Sequence, residues 1–170
     1  MTAMQASFGN LAEAQCIQHL SFRVRQAGYA LPIDLVREII EYAEVTRVPM
    51  MPEYIHGVIN LRGNVVPVLD LAARFGLSRT APGKRTCIVI TELALEDTSQ
   101  RLGLVVDAVD AVHDIDTRQV LPPPPFGAQI RVDFIAGMAQ QEQGFLIILN
   151  LLQVLSTQDL LDLAQARAAD

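Results

Sequence analysis

Three histidines, His19, His56 and His113, are the side chains of this 170-residue sequence best suited to proton transfer or metal ligation. None has a partner at H-E-x-x-H spacing, and each stands alone on a strand-like or loop segment. A solitary histidine at such a place is more often structural than catalytic. The acidic series Asp107, Asp110, Asp114 and Asp116 is the best candidate for a cation, yet its spacing is not the D-x-[DN]-x-[DN]-G of a calcium loop. A strand edge protected by charge explains it equally well. Cys16 and Cys87 lie in neither a C-x-x-C nor a C-x-x-H pattern, which argues against a disulfide framework or a zinc site. The G-x-S-x-G elbow, the phosphate-binding G-x-x-x-x-G-K-[ST] loop and G-x-G-x-x-G are all missing from the sequence. The expectation is a protein with no catalytic residue, no metal and no cofactor, and the residual case for an enzyme is an acid pair within the Asp107 to Asp116 series.

Arg62 is different. It stands between Leu61 and Gly63 in a stretch otherwise dominated by aliphatic residues. An arginine so placed either closes a structural ion pair or presents a bidentate donor to a partner. Composition leans the same way: of thirteen basic residues only Lys84 is lysine, and arginine is the better residue at protein interfaces. Nineteen acidic residues against those thirteen leave a net charge of −6, which excludes the basic footprint that nucleic acid requires. Aromatic residues are 5% of the chain and tryptophan is absent, so no stacking platform for bases or sugars is indicated. No window approaches the ~18 consecutive apolar residues of a membrane helix, and residues 1–10 lack a signal peptide's basic and apolar regions. These features predict a cytoplasmic protein without membrane insertion.

The elements that must position Arg62 are strands. Ile17, Leu20, Phe22 and Val24, then a break at Gly28 and the run Tyr29 to Ile33, predict a hairpin. Asp34 is placed to cap one helical turn over residues 35–37, followed by an extended run from Glu38 to Tyr42. Residues 57–71 hold two β-rich runs around Gly63-Asn64, which suits a type II′ turn with Arg62 at its mouth. The second run is apolar on both faces, and Pro67 within it predicts an edge strand or a bulge. Residues 71–76 read as a short helix stopped by Gly76. Further strands are expected over residues 86–91, 102–112, 134–138 and 144–149, with a stiff proline spacer at residues 122–125. Nine or ten short strands with helices only as punctuation point to barrels or a sandwich. Residues 1–14 read as a loose tail and residues 157–170 as a terminal helix.

The block Val48-Pro-x-x-Pro, Gly57-Val-Ile-Asn-Leu-Arg-Gly-x-Val-Val-Pro-Val-Leu-Asp-Leu71 and Arg74-Phe-Gly-Leu77 closely resembles the CheW family of bacterial chemotaxis coupling proteins. Tyr29 to Ile33, Val36 to Ile39, Leu102 to Val109, Phe134 to Gly137 and Leu146 to Leu149 extend the likeness over residues 15–156. The resemblance implies a mainly β fold of two intertwined, SH3-like, five-stranded barrels sharing one hydrophobic core, in a single domain over residues 15–156. It implies a non-enzymatic adaptor that joins the cytoplasmic domain of methyl-accepting chemoreceptors to the regulatory domain of a CheA-type histidine kinase. By motif, the receptor-binding positions would be Ile33, Val36, Glu38, Gly57 and Arg62, with Val105, Asp107 and Val109 bordering the same groove. At Gly57 a close backbone approach by the partner competes with a strained turn, and at Val36 an exposed contact competes with core packing. The same fold could serve a chemosensory system controlling pili or a second messenger. A barrel that binds a small molecule is the alternative from another class.

Overall fold

The computed structural model describes residues 15–94, 97–123, 131–142 and 144–155. The expected tail over residues 1–14, the terminal helix over 157–170 and the second half of the proline spacer lie outside them.

Eleven strands build two sheets, each rolled into a barrel. The strands are β1 (Cys16–Val24), β2 (Ala27–Pro32), β3 (Val36–Glu41), β4 (Ile55–Leu61), β5 (Asn64–Asp70), β6 (Cys87–Ala94), β7 (Ser99–Val106), β8 (Ala108–Asp116), β9 (Val120–Leu121), β10 (Ile135–Gln141) and β11 (Gly144–Leu149). Two single-turn helices, α1 (Leu71–Arg74) and α2 (Leu151–Val154), punctuate them. The middle of the chain makes one barrel in the order β3-β6-β7-β5-β4, and the flanking strands make the other, β8-β1-β2-β11-β10-β9. The two-residue β9 gives that sheet a sixth strand beside the five expected.

The barrels repeat one plan. Each contains one parallel pair, β5 with β7 and β2 with β11. Each closes where the strand at one edge bends and returns to the other: β8 turns through residues 117–119 into β9 beside β10, while the chain after β3 pairs Thr46 with Val58 of β4. The sequence itself echoes this, since Val68-Leu69-Asp70-Leu71 and Ile148-Leu149-Asn150-Leu151 end equivalent hairpins. Asp70 and Asn150 cap the following helices with their side chains, and their N–H groups donate to the Tyr54 and Phe134 carbonyls in turn.

Three apolar clusters follow from that plan. Ile59, Val66, Val68, Ile88, Ile90 and Val105 fill the middle barrel, and Ala30, Ile115, Ala139 and Ile148 line the flanking one. A larger shared core lies between them, drawing Phe22, Tyr29, Phe134 and Leu149 from one barrel and Leu69, Phe75, Val89 and Leu104 from the other. Phe75 reaches across, with its ring 5.1 Å from that of Tyr29 and 6.1 Å from that of Phe134.

Several local expectations shift. The first turn is Arg25-Gln26, with Arg25 at a φ of 59°, whereas Gly28 lies inside β2 opposite Arg23. A Cβ on Gly28 would stand 2.9 Å from Leu146 Cδ2, the end of a side chain that would have to turn aside. Residues 33–35 form one 3₁₀ turn, and the Asp34 side chain does not cap it. The run expected over residues 102–112 is two strands in different barrels, parted at Asp107. Pro67 sits in an interior strand, neither at an edge nor at a bulge of its own. Both polar backbone groups of its partner Val58 are spent on Thr46, so the missing donor of Pro67 faces away from β4, just before the parallel ladder with β7 begins at Val68.

Candidate functional site

The β4–β5 hairpin turns on Arg62 and Gly63, both with positive φ (53° and 87°), between the closing pair Leu61 and Asn64. That is a type I′ turn one residue earlier than the expected type II′, and its twist matches the flanking strands. The Asn60 side chain holds it, accepting from the Gly63 N–H at 2.9 Å. Arg62 therefore forms the tip of the turn. Its guanidinium makes two hydrogen bonds to Glu38, Nη1 to Oε1 at 3.3 Å and Nη2 to Oε2. Glu38 lies opposite Ile90, a residue of the barrel interior, and cross-strand neighbours share a face. The ion pair consequently covers one end of the middle barrel. Side-chain exposure is 67% for Arg62 and 32% for Glu38, and a pair this open contributes ~0.2–1 kcal/mol to folding.

The remaining motif-derived residues separate. Ile33 and Val36 are half-buried and pack on the shared core. Val109 packs on that core too, from β8. Val105 is wholly buried inside the middle barrel, so its side chain borders no groove. Asp107 joins the barrels: its Oδ2 accepts from the Arg25 N–H at 2.5 Å, and its own N–H donates to the Arg23 carbonyl. Arg25 in turn donates through Nη2 to the Ser78 carbonyl at 2.6 Å. Gly57 is buried at the barrel seam, where a Cβ would collide with the Thr46 carbonyl and Val45 Cγ1. Its φ of 153° adds to the demand for glycine. The close approach expected from a partner is thus made by the chain's own backbone.

A buried polar group occupies the opposite end of the same barrel. Asp70 is fully buried and accepts from the Ala72 and Ala73 N–H groups at 3.0 and 3.4 Å, and from Thr80 N–H and Oγ1 at 2.8 and 2.9 Å. Burial pushes its carboxyl up, but the facing His56 ring and these donors outweigh it and hold Asp70 below the usual aspartate range. His56 Nε2 lies 2.7 Å from the Tyr42 hydroxyl, and Nδ1 lies 3.7 Å from Asp70 Oδ2. Sequence reasoning missed this group because Tyr42, His56, Asp70 and Thr80 come from four separate segments. The signal available was a histidine and an aspartate flanking a long apolar hairpin.

The other histidines also have partners. His19 Nδ1 is 2.9 Å from the Ile17 carbonyl, and His113 Nε2 is 2.9 Å from Ser21 Oγ. The described residues bring no three His, Cys, Asp or Glu side chains together as a metal site, and contain no helix long and apolar enough to cross a membrane.

Comparison with known proteins agrees with this architecture. The chain is 31% identical over 140 residues to the chemotaxis protein CheW of Rhizobium meliloti, covering 82% of this chain and 88% of that one. It is 32% identical over 141 residues to the protein FrzA of Myxococcus xanthus, covering 80% and 83%. The crystal structure of the scaffolding protein CheW from Thermoanaerobacter tengcongensis superposes with a TM-score of 0.76 at 34% identity, over 85% of this chain and 91% of that one. The CheW-like domain matches residues 18–159, and with two barrels around one core the chain belongs to the CheW-like family.

Proposed function

We propose that this protein is a chemotaxis coupling protein that works by binding alone, joining chemoreceptor cytoplasmic tips to the regulatory domain of a CheA-type kinase. The observation that carries this reading, beside the family membership, is the exposed Arg62–Glu38 pair on a rigid turn. Its small contribution to folding leaves the arginine's placement better explained by recognition, where a preorganised fork loses little entropy on docking. Ile33 and Val36 supply the half-buried apolar margin of the receptor surface. Gly57, Val105 and Asp107 support the reading only indirectly, by holding the barrels in shape.

A pull-down with a receptor cytoplasmic fragment and the kinase regulatory domain tests it. Both are expected to be retained. Arg62→Glu should lose the receptor and keep the kinase, with the far-UV spectrum unchanged. Normal receptor binding by that variant would overturn the site, and failure of the unaltered protein to bind either partner would overturn the function.

A further inference from the structure

The two barrels correspond residue for residue through their ladders, and they differ sharply at one end. Ala30 pairs with Ser21 and Ile148 in the flanking barrel as Gly103 pairs with Ile90 and Val68 in the middle one. Gly137 opposite Ile148 matches Gly57 opposite Val68, and Ala111 opposite Ser21 matches Glu38 opposite Ile90. The hairpins close at Gln141–Gly144 and Leu61–Asn64, so Glu142 takes the place of Arg62.

The ion pair that covers the middle barrel therefore has no counterpart, because its two positions hold Glu142 and Ala111. The bulk beneath it is missing too: Ser21 stands where the middle barrel has Ile90, and Gly28 where it has Arg101. Small barrels are filled by their inward side chains, so these exchanges leave the mouth of the flanking barrel hollow. The result is an open cleft of about 690 Å³, lined by Ser21, Gly28, Ala111, Glu142, Phe145 and Leu146 among others. That volume falls within the range of small-molecule sites. The Ser21 hydroxyl donates to the Ala111 carbonyl at 3.2 Å and accepts from His113 Nε2 at 2.9 Å, so it needs no ligand to satisfy it.

The two rims also carry opposite charge. Around the middle barrel Arg37, Arg62 and Arg101 meet Glu38 and Glu92, whereas around the flanking one Arg23 alone meets Asp110 and Glu142. Even the pair at the equivalent bulge is reversed, Arg37 with Glu92 being matched by Asp110 with Arg23. Arg23 Nε stands 3.2 Å from Asp110 Oδ2, and that neutralisation leaves Glu142 in excess. Among the described residues no ion pair engages its carboxylate. Phe145 lines the same mouth and is 47% exposed. A partly apolar recess with one uncompensated carboxylate and an aromatic ring at its mouth suits a cation.

We infer that the mouth of the flanking barrel binds a small organic cation, an ammonium group on an apolar body, with Glu142 and Phe145 receiving the charge and Ala111 and Leu146 the body. The inference does not depend on the coupling function, since it concerns the other barrel and other residues.

Nuclear magnetic resonance on the full chain tests it, with three probes of one shape and different charge titrated at constant ionic strength: phenethylamine, phenethyl alcohol and hydrocinnamate. Phenethylamine is expected to shift the Gly28, Ala111 and Phe145 amides saturably, the alcohol to bind more weakly, and the anion weakest of all. Glu142→Gln should bring the amine down to the affinity of the alcohol, a loss of about fivefold, as befits an exposed charge pair. Ala111→Leu restores bulk at the mouth and should abolish saturation, with a melting curve to report that the variant is folded. If it is not folded, Phe145→Ala changes an exposed ring and should weaken the amine while leaving the alcohol nearly unchanged. Absence of saturation by the amine in the unaltered protein would overturn the site. So would equal affinity for amine and anion, or full amine affinity in a folded Ala111→Leu or Phe145→Ala variant.

Discussion

Arg62 and Glu38 touch although their elements stand at opposite margins of the strand order β3-β6-β7-β5-β4. The contact is possible because the sheet curls until β3 faces the β4–β5 hairpin. Reversing the pair separates folding from recognition. The double variant Arg62→Glu, Glu38→Arg should keep the melting temperature within the few degrees that about 1 kcal/mol represents at this size, and still fail to retain a receptor fragment. A differential scanning experiment beside a pull-down reads both quantities.

Gly57 and Gly63 lie on one hairpin and predict opposite outcomes. Gly57→Ala drives a methyl into the Thr46 carbonyl at the seam, whereas nothing stands within 4 Å of a Cβ on Gly63. The first change should cost about 2–4 kcal/mol from overpacking and strain together. The second should cost about 1 kcal/mol, from its positive φ alone. Urea denaturation of the two variants would contradict this account if the order were reversed.

Acid should weaken the fold through Asp70. Its carboxyl titrates below the usual value in the folded chain, so the ionised form is favoured on folding. That stabilisation is present above the unfolded carboxylate range near pH 4 and is lost as pH falls through the folded value. Glu92 behaves in the same sense, brought down to about 2 chiefly by the Arg37 hydrogen bond, but on an open surface. Melting temperatures measured from pH 6 to pH 2.5 should fall, and Asp70→Asn should flatten the profile after an initial loss of about 2–4 kcal/mol.

Arg25 ties the first turn to the loop after α1 and thereby one barrel to the other. Arg25→Gly relieves the positive φ but removes the guanidinium contacts to Ser78. Amide exchange over residues 76–80 is expected to quicken in this variant while β1 and β2 stay protected. Unchanged exchange there would show that the shared core alone aligns the barrels.

The strands were legible because each is either an apolar–polar alternation or a continuous apolar run bounded by turn residues, and the two-barrel reading came from the family resemblance of the ordered block around Gly57 to Leu71. Turn phase was less legible. Arg25 and Arg62 take left-handed backbone positions usually given to glycine or asparagine, so the neighbouring Gly28 and Gly63-Asn64 drew the turns one to three residues away. The site was half legible. Glu38 and Arg62 meet as neighbours, but whether a glycine faces a partner or its own chain depends on where Thr46 returns, and no local pattern records that.

The middle barrel is built entirely from residues 36–106, while the other needs β2 and β11 side by side in parallel. On a ribosome adding ~5–20 residues each second, the inner barrel can close while its neighbour still lacks four of its six strands. The β1–β2 hairpin gains β8 along β1 soon after, but the other edge, β2, waits for β11 near the end of the chain, with the apolar faces of Phe22, Tyr29 and Leu31 resting meanwhile on the finished inner barrel. Truncations that remove β11 should therefore leave the inner barrel beside a β8-β1-β2 sheet whose β2 edge is open and aggregation-prone.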